Sequence, residues 1–211
     1  MPLQLGLFGA PLLLVVALGI AFFLSVPFTV VLVGYFIMST AYSWYVKQVA
    51  VPDVFFLAAL YTIRLIASHV AGAIPMSTWL LVFSMFIFLS LALMKRFQEL
   101  QALQQQNGPK VKDRGYTAAD LVLVTTLGLV SSFMAVPVLA LYVNSEQVVK
   151  LYARPTPLLL VCPLMLYWIT RGWFFTHRGQ MHHDPTAFAF KDWVSYAIDA
   201  LMLAVMWFAM R

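Results

Sequence analysis

The sequence predicts an all-α fold, a polytopic transmembrane helical bundle with seven spans forming a single domain over residues 1–211. Three observations predict it. Of the 211 residues 63% are hydrophobic and 10% charged, and the mean hydropathy is +0.88, far from the composition of water-soluble domains. Thirteen basic and eight acidic residues are too few to give a globule of this size a polar skin. The apolar residues fall in continuous runs of about 20, the length that crosses a hydrocarbon core about 30 Å thick at 1.5 Å per residue. They do not alternate with period two, as the strands of a membrane barrel would. Apolar content excludes disorder, and the single cysteine, Cys162, excludes a disulfide scaffold.

The first run, 7–24, lacks the basic start and small-residue cleavage site of a signal peptide and reads as a retained span. The short 25–27 connection makes it an antiparallel hairpin with the second span, 28–46. The third span, 54–71, begins behind Pro52-Asp53. The fourth, 78–94, runs into a basic cluster and a cytoplasmic loop over 95–116, whose Gln104-Gln105-Gln106-Asn107-Gly108-Pro109 stretch is strongly polar. The fifth and sixth spans, 118–143 and 157–176, carry Pro137 and Pro163, each expected to kink its helix. The seventh is 193–210.

With seven spans, nine of the thirteen basic residues fall on the side of the N-terminus and three on the other, and Arg64 lies inside the third span. The positive-inside rule then makes the N-terminus cytoplasmic. Most acidic residues fall on the same side, which suggests a one-sided site rather than a through-going pore. The basic residues are scattered between apolar runs, so membrane lipid, not nucleic acid, is the expected partner.

Four groups could carry chemistry. Tyr42-Ser43-Trp44-Tyr45-Val46-Lys47 followed by Pro52-Asp53 reads either as an aromatic belt with a snorkelling lysine and Asp53 as a helix cap, or as a mouth where Lys47 and phenols hold a lipid phosphate. Lys95-Arg96-Phe97-Gln98-Glu99 reads either as a basic anchor with an i,i+4 pair or as a polyanion site. In the second case two cations bind phosphate and Glu99 orients one of them or holds Mg²⁺. Arg64, about 16 Å into its span, should face the bundle interior, with Asp199 as a possible partner. His177, His182, His183 and Asp184 tempt a zinc assignment, but adjacent histidines rarely converge on one ion. No P-loop, dinucleotide fingerprint or nucleophile elbow occurs.

The run from Tyr42 to Lys47 with Asp53, Tyr61-Thr62-Ile63-Arg64, Leu93-Met94-Lys95-Arg96-Phe97-Gln98-Glu99-Leu100, Arg114-Gly115-Tyr116, Leu139-Ala140-Leu141-Tyr142, and Asp184-Pro185 with Asp192-Trp193-Val194-Ser195 resembles the UbiA superfamily of intramembrane prenyltransferases. Within it, the chain looks most like the decaprenyl-phosphate phosphoribosyltransferase branch. The resemblance covers essentially the whole chain, and its most specific part is the Lys-Arg-x-x-Glu-Leu run.

The resemblance implies transfer between a polyprenyl or polyprenyl-phosphate lipid and a phosphorylated second substrate, with Mg²⁺ as cofactor, at the cytoplasmic face of a bacterial inner membrane. It implies catalytic roles for Lys95, Arg96 and Glu99, with Glu99 as metal ligand. Tyr42, Lys47, Asp53 and Arg64 would be substrate-binding, Asp53 positioning Lys47. The chain departs from the family in lacking the Asn-Asp-x-x-Asp motif that follows the second of nine helices. Its seven spans match the third to ninth, so it is expected to be the C-terminal portion of such an enzyme. It should then bind polyprenyl phosphate without turning it over unless a missing N-terminal helical pair is supplied. Rival expectations are a non-catalytic membrane protein and a small transporter or lipid-binding protein.

Overall fold

The computed structural model describes residues 3–105, 115–181, 185 and 191–211. The polar stretch 106–114 and the His182-His183-Asp184 run lie outside the described residues. Helices are α1 Leu3–Leu24, α2 Val26–Trp44, α3 Pro52–Ala71, α4 Thr78–Gln105, α5 Leu121–Val143, the short α6 Glu146–Leu151, α7 Val161–His177 and α8 Trp193–Met210. Six helical segments, 26–48, 52–71, 78–104, 118–143, 156–177 and 193–210, are long and apolar enough to cross a membrane. The seventh expected span, in α1, appears by its described side chains as a shorter apolar helix, Leu13–Leu24.

Local chemistry sets the helix boundaries. Ser25 caps α2, its hydroxyl accepting the Phe28 N–H at 3.2 Å, with Pro27 in the first turn where its missing N–H costs nothing. Helix α4 does not stop at Met94 but runs through Lys95, Arg96 and Glu99 to Gln105, so the candidate residues sit on a helix, as the i,i+4 reading expects, and the helix reaches into the stretch expected as the 95–116 loop. Lys, Arg, Gln, Glu and Leu are all good helix formers, and the buried Phe97 and Leu100 hold this extension against the bundle. Pro163 is the third residue of α7, just after the tighter 3-10 turns of Thr156–Leu160 give way to α-helix. Pro137 does lie inside α5.

Helix α4 is the hub, packing on α5 most extensively, then on α3 and α7; α5 also packs on α7, α7 on α8, and α2 on α1 and α3. The α4–α5–α7 junction is closed by Trp173, whose indole N–H lies 2.8 Å from Ser132 Oγ and 3.2 Å from Ser90 Oγ, the two hydroxyls being 2.5 Å apart. These polar atoms satisfy one another where water is absent, which is how hydroxyls tie membrane helices together. Gly128 admits the indole: a Cβ there would stand 2.3 Å from the Trp173 ring.

The entry to α8 is pinned to α7. Asp192 caps α8, accepting the Ser195 N–H at 2.9 Å, and receives both terminal nitrogens of Arg171 at 2.5 and 2.9 Å. Trp168 donates to Ser195 Oγ at 3.0 Å. The Arg171 hydrogen bonds foremost, helped by those from Ser195, hold the Asp192 carboxyl below the usual carboxylate range despite partial burial.

Two outcomes are expected in thermal unfolding of detergent-solubilised protein. Gly128→Ala should cost about 1–3 kcal/mol by overpacking, and Trp173→Phe in the same chain should recover part of that loss. Asp192→Ala should cost about 2 kcal/mol at neutral pH, from the lost cap and charge-assisted bonds. Because the folded pKa lies below the unfolded one, that stabilisation is full above pH about 3.9 and disappears as pH falls through the lower folded value. The gap between wild type and Asp192→Ala should therefore close only in acid.

Candidate functional site

The end of α2, the start of α3 and the C-terminal part of α4 meet at one end of the bundle. Asp53, wholly buried, stands in the first turn of α3, and Arg96, 1% exposed, reaches it from α4 with Nε 2.6 Å from Oδ2 and a terminal nitrogen 3.5 Å from Oδ1. The Nε–H does not point along the short contact, so this is an ion pair rather than an aligned hydrogen bond. Tyr42 of α2 donates its phenol to Asp53 Oδ1 at 2.8 Å. The other face of the guanidinium pairs with Glu99, one turn on in α4 and 30% exposed. One arginine thus bridges two carboxylates from two helices, and a third helix adds a phenol.

The start of α3 is held in place from the far side. Val51, the residue before Pro52, has φ 76° and ψ −64°, a strained conformation for a β-branched residue. Its N–H is bound by the Tyr116 hydroxyl at 3.0 Å. Gly115 lies flat on the same turn, where a Cβ would sit 2.6 Å from Ala50 N and 2.8 Å from Gln48 O. Burial raises the Tyr116 phenol pKa above its ordinary value, so it stays neutral. The segment entering α5 therefore fixes the backbone that aims Asp53 at Arg96. The Gly115-Tyr116 pair enters the sequence comparison only as part of a motif; its bracing role has no signal in spacing or composition.

Several expected placements change. Asp53 does not cap α3, whose first turn has no side-chain cap, because a buried guanidinium and a phenol compete for its carboxylate. Lys47 sits half-buried in the turn Val46–Gln48, between α2 and α3. Glu99 pairs with Arg96 at i,i+3. Lys95, half-buried, precedes Arg96 on α4. Arg64 is exposed and does not reach Asp199; it binds the Tyr35 hydroxyl at 2.5 and 3.1 Å and lies over the Tyr35 and Tyr61 rings at 5.3 and 5.1 Å. Two aromatic faces and a phenol oxygen give the cation local partners at membrane depth, in place of a distant carboxylate. It therefore stands apart from the Asp53–Arg96 cluster.

The donor set does not fit Mg²⁺. Asp53 and Glu99 are both turned onto Arg96, whose charge opposes a divalent ion at close range, and among the described residues no group of three histidine, cysteine or acidic side chains converges.

No protein-family model matches the chain. It is 33% identical over 207 residues, 97% of its length, to the uncharacterized protein y4nM of Sinorhizobium fredii, of which the match covers 40%. It is 34% identical over 162 residues to the nodulation protein NoeC of Azorhizobium caulinodans, covering 75% of this chain and 52% of that one. Over 120 residues, 56% of the chain, it is 36% identical to the decaprenyl-phosphate phosphoribosyltransferase of Mycolicibacterium smegmatis, covering 37% of the enzyme. The chain is a multi-pass membrane protein, and part of it is homologous to a UbiA-type transferase. It spans about half or less of the length of these curated relatives.

Removing one partner of the buried pair should be severe. Arg96→Gln or Asp53→Asn should each cost about 3–5 kcal/mol, because the other charge is left buried and uncompensated. Arg96→Gln also frees two facing carboxylates, so millimolar Mg²⁺ should raise the unfolding temperature of that variant and leave the wild type unmoved; an equal Mg²⁺ response in both would contradict the described geometry.

Proposed function

We propose that this chain is a UbiA-like, prenyltransferase-type membrane protein that acts on a polyprenyl or polyprenyl-phosphate lipid and a second substrate bearing phosphate or diphosphate, phosphoribosyl transfer being the narrower form. The observation that carries the reading is the Asp53–Arg96–Glu99 bridge with Tyr42, at one end of a bundle of membrane helices. The partial identity to decaprenyl-phosphate phosphoribosyltransferases supports it.

Within this reading the residues divide the work. Arg96 is saturated by two carboxylates and buried, so it positions the ends of α3 and α4. The cations for phosphate are Lys95, beside it on α4, and Lys47, on the turn after α2, both half-buried. An ammonium in a partly desolvated mouth forms charge-assisted bonds to phosphate oxygens that are stronger than in water. Transfer from a diphosphate-bearing donor leaves negative charge on the departing group, and oriented cations stabilise that charge as it develops. Glu99, half turned to solvent, keeps Arg96 from swinging out to compete. No step is assigned to a metal, since the described carboxylates are engaged.

The test is binding and turnover by purified chain in lipid nanodiscs. Polyprenyl phosphate should bind, and Lys95→Ala and Lys47→Ala should each weaken it about tenfold, the loss of one charge-assisted bond of roughly 1.5 kcal/mol. Transfer of a phosphoribosyl or prenyl group from a diphosphate donor to that lipid should fall in the same variants. Equal affinity for polyprenyl phosphate and for the uncharged polyprenol, unmoved by either substitution, would sink the reading.

A further inference from the structure

Between α3, α4 and α5 lies an apolar slot of about 110 Å³. Its walls are Val54 of α3, Leu89 and Leu93 of α4, and Val124 and Leu127 of α5. Along α5 the lining runs from Asp120 through Val124 and Leu127 to Ser131, a rise of about 16 Å at 1.5 Å per residue. The slot is therefore long, narrow and parallel to the membrane-crossing helices. It opens sideways past Phe55, Leu123 and Leu127, each roughly half exposed, and its upper end is closed by Tyr116 and Asp120.

We propose that this slot holds one acyl chain of a bilayer phospholipid. Water is excluded as occupant, because the walls offer almost no hydrogen-bond partners and apolar cavities stay dry. An empty slot would leave Val54, Leu93 and Val124 without contacts that close packing supplies. The opening faces the depth at which lipid chains lie, and the elongated shape takes one chain rather than a ring or a headgroup. The charge at the upper end decides the class of lipid. Asp120, whose Oδ2 accepts the Thr117 N–H at 2.8 Å and its hydroxyl at 3.0 Å, is the ionisable acid lining the slot. A carboxylate there repels a terminal phosphate monoester, with up to two uncompensated charges, more than a zwitterionic headgroup whose single phosphodiester charge is balanced by a cationic amine. The slot adjoins the proposed polyprenyl-phosphate mouth through the turn before α3, but the assignment of its occupant does not depend on that reading.

The chain occupying the slot touches Val51 and Tyr116, the two residues joined by the hydrogen bond that braces Asp53. Filling the slot therefore supports the strained turn from below.

The test uses the full chain in phosphatidylcholine vesicles carrying either phosphatidylcholine with a photoreactive diazirine in its acyl chain or a diazirine-bearing polyprenyl phosphate, with labelled residues mapped by peptide mass spectrometry. The phosphatidylcholine probe should label Val54, Leu93 and Val124 several times more than exposed residues of α1 such as Phe23. Leu127→Trp, which fills the slot from its open side, should cut that labelling several-fold while leaving α1 labelling unchanged. If Leu127→Trp loses its cooperative unfolding transition, the milder Leu127→Phe serves the same comparison. Labelling no stronger in the slot than on α1 would show only ordinary boundary lipid and overturn the proposal. Preferential labelling by the polyprenyl phosphate probe would overturn the assignment of the occupant. Failure of the lysine variants to alter polyprenyl phosphate binding would touch the proposed function alone.

Discussion

A guanidinium with no exposure to solvent must be neutralised where it stands, and the arrangement of α2, α3 and α4 follows from that need. Arg96 cannot be left among apolar side chains at the cost of an isolated buried ion. Asp53 must therefore lie in the first turn of α3, where it can reach across. For Asp53 to lie there the chain must turn sharply between Lys47 and Pro52, and the turn passes through Val51 at positive φ. The strain is held by the Tyr116 hydroxyl and the flat face of Gly115. One charge on α4 thus dictates a backbone conformation on the α2–α3 turn and a residue type at the entrance to α5. Buried ion pairs gain little net energy over well-packed apolar residues of similar volume; what this pair fixes is which helix ends meet.

Much of this was legible in the residues themselves. Continuous apolar runs located the spans, because a bilayer imposes one length on every crossing helix. The cluster around Lys95 stands out because two cations and an acid lie within five residues at a span's end, in the Lys-Arg-x-x-Glu-Leu run that carries the most specific part of the resemblance. What escaped reading was the assignment of partners. Asp53 before a helix looks like a cap, and only the buried Arg96, far away in sequence, makes it something else. Arg64 inside a span looks as if it needs a carboxylate, yet two tyrosines, one on its own helix, supply a phenol oxygen and two ring faces. The extension of α4 to Gln105 was hidden by polarity: a helix that leaves the apolar zone still has good helix formers and a buried edge at Phe97 and Leu100. Gly128 gave no sign of its function, since the atom that excludes a methyl group belongs to Trp173 on another helix.

The bundle also divides by how its helices are held. Helices α4, α5 and α7 interlock through the Trp173 indole seated against Gly128 and two serine hydroxyls, a contact that fixes both depth and rotation. By contrast, α2 has no buried residue along Val26–Trp44. A helix without buried side chains opens at low free-energy cost compared with one whose side chains fill a core.

That contrast gives the cluster an asymmetry. Arg96, Asp53 and Glu99 stand on α3 and α4, whereas Tyr42 is carried on α2, which has no buried residue, and its phenol covers Asp53 Oδ1. Of the described groups around the buried acid, Tyr42 is the one that touches Asp53 without carrying a charge, so it closes the carboxylate from the α2 side while the ion pair itself rests entirely on α3 and α4.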